Sequence, residues 1–192
     1  MASNPVSKLT EEQYLAIERE AEFRSEFVDG EMLAMSGGSL RHARLQQNIS
    51  SELYIALRDT GCEAFTSDMR VRVPKTRMYA YPDVSVICGK PVLADDHLDN
   101  LLNPIVIFEV LSPTTEKYDR GVKSQHYRAI ESLKDYILVD QNQVRIEQFT
   151  RQDANTWTLR DYQLLDQELT IASIGISLPL RRIYDRIELP GA

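Results

Sequence analysis

The segment Ile105-Val106-Ile107-Phe108-Glu109-Val110-Leu111 constrains this chain more than any other. It is a short apolar run, preceded by Pro104 and followed by Ser112-Pro113, and it reads as a strand buried among apolar neighbours on both sides. Side chains alternate along a strand, so Glu109 shares a face with Ile107 and Leu111, where an unpaired charge would cost several kcal/mol. Glu109 therefore needs a cation, a metal or a proton. The competing reading is a carboxylate at the end of a sheet that pairs with an arginine or reaches solvent.

The pattern around this strand sets the expected fold. Thr10 with Gln13 forms a capping box for a polar helix over 11–22, with Tyr14, Leu15 and Ile17 as its apolar contacts. Asp29-Gly30 between two short strand-like runs, within 25–33, predicts a β-hairpin. After Ser36-Gly37-Gly38, the residues Leu45, Ile49, Leu53 and Leu57 draw one helical stripe that Gly61 ends. Strands are expected over 63–66, 69–73 and 83–88, with a turn-rich linker at 74–81 and a polar loop at 95–100. A helix over 116–131 and a strand over 136–139 follow the 105–111 strand. The remainder reads as a meander with strands at 144–149, 157–162 and 168–171, then a short amphipathic helix near 180–187. Helix, three strands, helix and strand in this order predict an α/β chain of the α+β type, a mixed sheet flanked by helices. No helix separates the three central strands, which favours antiparallel pairing among them. The length of 192 residues suits a single domain spanning 1–192, with a core at about 24–140 and the meander and short helix at 141–192.

Asp83 follows Pro82 at the start of its strand, where a Pro-Asp pair is often only turn chemistry. Paired with Glu109 on an adjacent strand, it could bring two carboxylates to one Mg²⁺, which prefers carboxylate, water and phosphate oxygens. Asp119, Lys123 and Tyr127 recur at spacings of four, along one face of the helix that follows Glu109. A lysine there could activate an attacking water and offset charge on a phosphoryl transition state. An ordinary surface Asp-Lys pair is the alternative. His42 opens the long helix on the side of Leu45, Gln46 and Ile49 and could reach the same cleft, although a lone histidine beside an apolar stripe is more often a hydrogen-bonded residue at the edge of the core. Arg70, Arg72, Lys75 and Arg77 form the densest basic stretch, able to grip a phosphate backbone or to protect an edge strand from aggregation.

Taken together, Asp29-Gly30-Glu31, His42, Pro82-Asp83-Val84, Glu109-Val110-Leu111-Ser112-Pro113, Asp119, Lys123 and Tyr127 resemble the Uma-two family of the PD-(D/E)XK nuclease superfamily. The resemblance runs from about residue 10 to residue 139 and more loosely beyond. It implies a restriction-endonuclease-like core in which Asp83 and Glu109 hold Mg²⁺ or Mn²⁺, with the backbone carbonyl of Val110 as a further ligand. The implied reaction is hydrolysis of phosphodiester bonds in DNA by a metal-activated water. Leu111 stands where the superfamily pattern Glu-x-Lys places its lysine, so that role would pass to Lys123. Glu31 and His42 belong to the recurring pattern and, with Tyr127, are auxiliary candidates for orienting water or completing the metal shell.

Composition narrows the alternatives. A net charge of −7 argues against a protein that coats nucleic acid, yet is compatible with a nuclease whose site is itself acidic. With Leu111, it also leaves open a catalytically degenerate nuclease-fold scaffold; a phosphoesterase acting on a small molecule would use the same residues. Double-strand cleavage would favour a homodimer, with the C-terminal meander as its interface. The 104–111 run is too short for a membrane span, and the first eight residues lack the features of an export signal, so a cytoplasmic location is expected. Cys62 and Cys88 are expected to be free buried thiols.

Overall fold

The computed structural model describes residues 8–35 and 37–190; the first seven residues, read above for an export signal, and Ser36 of the Ser-Gly-Gly turn lie outside them. α1 (Glu11–Glu20) starts on the capping box formed by Thr10 and Gln13 and stops two residues earlier than expected. β1 (Ser25–Val28) and β2 (Glu31–Ala34) form the expected hairpin. Its turn has φ of 45° at Asp29 and 98° at Gly30, the paired positive values of the tight turn that matches strand twist. A Cβ at residue 30 would also stand 2.6 Å from Lys8.

α2 (Leu40–Ala56) is capped by Ser39, whose Oγ accepts from the His42 amide, and it buries Leu45, Ile49 and Leu53. The strands that follow are β3 (Cys62–Thr66), β4 (Arg70–Val73), β5 (Met78–Ala80), β6 (Val84–Cys88), β7 (Asn100–Leu101) and β8 (Val106–Leu111). A helical crossover leads from β8 to β9 (Asp135–Asp140). It comprises α3 (Glu116–Tyr118), a π-helical turn (Asp119–Lys123) and α4 (Ser124–Tyr127). The chain ends with β10 (Ile146–Arg151), β11 (Trp157–Tyr162), the hairpin β12 (Glu168–Ile171) and β13 (Ile176–Pro179), and α5 (Leu180–Ile183).

The larger sheet has the order β11-β10-β9-β8-β6-β3. Only β8 and β9 run parallel in it, as the crossover between them requires. A second sheet has the order β2-β1-β5-β4-β7. β8 is buried along its whole length. Val106, Phe108 and Val110 pack with α2, α5 and the β12-β13 hairpin. Ile107 and Leu111 face the second sheet and α4, where Val71, Met78, Tyr127 and Tyr136 complete the cluster. The mixed α+β sheet architecture is therefore as expected from the element order.

Four details differ. The three central strands do not share a sheet: β3 and β6 pair in the larger one, while β4 joins the hairpin sheet through β5, which lies in the segment expected to be a linker. The helix expected over 116–131 ends at Tyr127 and contains a π-helical turn. β13, where Ile176 and Leu178 alternate over a strand of four residues, is not among the expected strands and pairs with β12. Cys62 and Cys88 are not free thiols but a disulfide, because the β3-β6 register sets them opposite each other with Cα atoms 3.9 Å apart.

Candidate active site

The β6-β8 ladder pairs Val84 with Phe108 and Ser85 with Ile107. Continued one step, this register brings Asp83, the residue just before β6, opposite Glu109. Directly opposed residues in an antiparallel pair project from the same face with Cβ atoms about 5 Å apart. For Asp83 and Glu109 that face is the one carrying Ile87, Ile107 and Leu111, turned toward the second sheet. The two carboxylates that the sequence pairs thus come from neighbouring strands, Asp83 at the entrance of β6 and Glu109 within β8.

Each is held by one oxygen. Asp83 Oδ2 accepts the Val110 amide at 2.7 Å and lies 3.2 Å from His42 Nε2. Glu109 Oε1 accepts from Lys123 Nζ at 3.0 Å and from the Tyr127 hydroxyl at 3.1 Å. Asp83 Oδ1 and Glu109 Oε2 carry no hydrogen bond among the described residues. The backbone carbonyl of Asp83 is fixed by Gln46 Nε2 at 3.0 Å, which ties this strand entrance to α2.

Lys123 lies at the centre of the charge. Its ammonium is 2.9 Å from Glu26, 3.0 Å from Glu109 and 3.5 Å from Asp119. The π-helical turn closes by a bond from the Ser124 amide to the Asp119 carbonyl; this wider turn directs residues 119 and 123 to one side. Burial alone would push the lysine toward its neutral form, but the charges of Glu109 and Glu26 outweigh that and hold the ammonium well above its usual range. Burial pushes the Glu109 carboxyl well above the usual carboxylate range; Lys123 pulls it down while Asp119, Asp83 and Glu26 add to the rise. Asp119 is raised by the same desolvation, against the pull of Lys123. For His42, burial favours the neutral ring, yet the hydrogen bond and charge of Asp83 prevail and raise its pKa.

Glu26, Asp83, Glu109, Asp119, Lys123 and His42 line a cleft of about 340 Å³. Glu26 is the member that sequence reasoning missed. Its signal was the one that exposed Glu109, a carboxylate inside a strand beside a large apolar residue, Phe27. Glu31, the acidic candidate from the same hairpin, is exposed on β2 and outside the cleft lining. Tyr127 lies beneath the cleft against Glu109. The basic stretch does not converge on the site as a free patch. Arg70 pairs with Asp99, Arg72 with Glu11, Lys75 with Glu131 and Arg77 with Asp29, so all four have acidic partners within the chain, the last two in exposed pairs. Among the described residues, no three His, Cys, Asp or Glu side chains gather closely enough to enclose an ion by themselves.

The fold is that of an α+β protein with mixed sheets flanked by helices and an acidic cleft between them. The chain belongs to the Uma2 family, described as "Putative restriction endonuclease", whose model matches residues 11–181. Two relatives come from a Synechocystis strain and are themselves named only as uncharacterized proteins. The one called slr1290 is 35% identical over 182 residues, covering 95% of this chain and 94% of its own. The one called sll1609 is 37% identical over 168 residues, covering 88% and 95%. The same fold occurs in a crystal structure from Anabaena variabilis titled a "putative nuclease belonging to DUF820". It has a TM-score of 0.74 and 16% identity, and the match covers 92% of this chain and 97% of that one.

Among the described residues no helix is long and apolar enough to cross a membrane.

Proposed function

We propose that this chain is a divalent-metal-dependent endonuclease that hydrolyses phosphodiester bonds of DNA. In this reading Asp83, Glu109 and the backbone carbonyl of Val110 hold Mg²⁺ or Mn²⁺, and Lys123 is the electrostatic catalyst. The observation that carries it is the apposition of Asp83, at the entrance of β6, and Glu109, inside the adjacent β8, each with one uncommitted carboxylate oxygen. Such donors fit Mg²⁺, which takes one or two carboxylates and completes its shell with water and substrate phosphate, so a third acidic ligand is not required. The ion would supply Lewis-acid polarisation of the scissile phosphate and a more acidic water.

The chain's own residues prepare the remainder. The Val110 amide and His42 commit Asp83 Oδ2 and leave Oδ1 available, while the amide bond keeps the Val110 peptide beside that carboxylate. Tyr127 and Lys123 fix the Glu109 carboxylate from below. The ammonium of Lys123, kept charged by three carboxylates, is a fixed positive charge that can offset negative charge developing on the phosphoryl oxygens. DNA as the polymer is drawn from the family's description.

The test is incubation of the purified protein with plasmid DNA in Mg²⁺, Mn²⁺ or EDTA, beside Asp83→Asn. Cutting that requires the metal and disappears in the variant is expected. Cutting that persists in EDTA or in the variant refutes the assignment.

A further inference from the structure

We infer that β3 is the interface of a homodimer: two copies of the chain pair their β3 strands antiparallel about a two-fold axis at Ala64, joining their larger sheets into one. The inference stands on backbone geometry and does not depend on the nuclease reading.

β3 is the outermost strand of the larger sheet and pairs only with β6. In an antiparallel ladder alternate residues exchange both backbone bonds with the residue opposite, and those between direct theirs away. Two bonds fix which residues are which. The Gly89 amide donates to the Gly61 carbonyl at 2.8 Å, so the bonded set on this side begins one residue before β3. The Val86 carbonyl, opposite Ala64, accepts instead from the Ile105 amide at 2.7 Å, on the far side of β6. Glu63 and Phe65 therefore bond to β6, while Cys62, Ala64 and Thr66 direct their amides and carbonyls out from the sheet edge.

Two of these outward groups are engaged within the chain. The Cys62 amide donates to Thr60 Oγ1 at 3.3 Å, and the Thr66 carbonyl accepts from the Met69 amide at 3.1 Å. The amide and carbonyl of Ala64, the Cys62 carbonyl and the Thr66 amide remain. An axis at Ala64 sets that residue opposite its own copy and Cys62 opposite the partner's Thr66. The Ala64 amide then meets the partner's Ala64 carbonyl, and the Thr66 amide the partner's Cys62 carbonyl, each contact occurring twice by symmetry. Every remaining group is used. An axis at Cys62 would need the Cys62 amide, and one at Thr66 the Thr66 carbonyl, both already engaged.

The side chains favour the same seam. β3 carries a single charge, Glu63, whereas β11 at the opposite edge exposes Arg160 and Asp161, residues of the kind that keep an edge from pairing. Beside β3 runs a groove of about 660 Å³, walled by Tyr54, Ile55 and Arg58 of the α2 end and by Ala64 and Thr66 of the strand. Tyr54 is 71% and Ile55 61% exposed. Ala64 lies on the sheet face that packs with α2. The two-fold axis stands perpendicular to the joined sheet, so both α2 helices lie on one face and present these side chains to the groove from either side. For the same reason the faces carrying Asp83 and Glu109 turn to a common side.

Sedimentation velocity of the full chain at micromolar concentration tests this, with circular dichroism as the control for folding. The wild-type protein is expected to sediment as a dimer, at twice the 22.0 kDa of one chain. Ala64→Pro removes the amide donated at the axis, at an outward position where the ladder with β6 loses no bond. It is expected to raise the dissociation constant at least about tenfold. Tyr54→Glu puts a carboxylate into each groove from an exposed helix position, is expected to weaken the dimer likewise, and decides the matter should Ala64→Pro not fold. A monomeric wild-type protein overturns the inference. A dimer whose affinity Tyr54→Glu leaves unchanged overturns it as well and puts the contact elsewhere on the chain.

Discussion

Replacing Lys123 with methionine keeps the aliphatic stem and removes the cation that Glu26, Glu109 and Asp119 share, which they approach at 2.9, 3.0 and 3.5 Å. All four residues are buried. Removing one partner from a buried ionic cluster costs about 3–5 kcal/mol, because the remaining charges lose their compensation. For a domain of this size about 2–4 °C of Tm accompanies each kcal/mol, so Lys123→Met should lower Tm by roughly 6–20 °C at pH 8. The loss must depend on pH. Glu109 and Asp119 have pKa values raised in the folded protein, with Lys123 the largest influence pulling them down. Without it they rise further, and a carboxyl raised in the folded state destabilises progressively as pH climbs above its unfolded value, near 4. Below that value these carboxyls are protonated folded and unfolded, so the difference between wild type and variant shrinks. Lys123, itself raised, contributes fully at pH 8 and loses its contribution only above its ordinary value of 10.5. Thermal unfolding followed by circular dichroism in EDTA, at pH 8 and pH 4.5, is the assay. A drop below about 2 °C at pH 8, or an equal drop at both pH values, would refute the cluster as described.

Mn²⁺ at a hundred times its Kd should stabilise the wild-type protein by about 2.7 kcal/mol, roughly 5–11 °C in Tm, with no comparable shift in Asp83→Asn; differential scanning fluorimetry reads both. His42→Gln should lose more stability at pH 5.5 than at pH 9 in urea unfolding. The raised pKa of His42 means that its bond to Asp83 contributes fully below about 6.5 and fades as pH rises through the folded value, so a deficit that grows with pH would contradict that pairing. Reduction of the Cys62–Cys88 bridge, which spans a sequence separation of 26, should cost roughly 3–4 kcal/mol on the loop-closure estimate. Thiol titration of the unreduced protein should find no free cysteine, and finding two would remove the bridge.

What could be read in advance depended on how local the cause was. The hairpin, both long helices and the doubly buried strand rest on capping residues, Asp-Gly chemistry and apolar periodicity, all contained in short windows. Glu109 was legible for the same reason, as a charge inside an apolar strand announces an unmet requirement. Glu26 was not, because β1 has only four residues and the groups that hold it, Lys123 and the Tyr81 amide, come from distant segments. Glu31 drew attention through the turn motif it completes, although its side chain stays outside. The basic stretch looked like a phosphate grip because its partners Asp99, Glu11, Glu131 and Asp29 belong to four separate parts of the chain. The disulfide is equally non-local, since only the β3-β6 register makes Cys62 and Cys88 neighbours.

The position of the lysine follows from the same geometry. Residue 111 shares the Glu109 face, yet Leu111 is 3% exposed within the cluster of Ile107, Leu138 and Tyr127, on a strand hydrogen-bonded to β9 over its whole length. A lysine there would have to leave that cluster to reach the cleft, at the expense of the packing that holds β8 between the sheets. Lys123 approaches Glu109 from the crossover helix instead, and the π-helical turn aims it with Asp119 from the same side. The strand can then remain apolar at 111 while the ammonium sits 3.0 Å from Glu109. In the proposed reading the site requires a cation at a point in space, and the crossover helix reaches that point without disturbing the core; the strand spacing Glu-x-Lys would be one way to meet that requirement and Lys123 another.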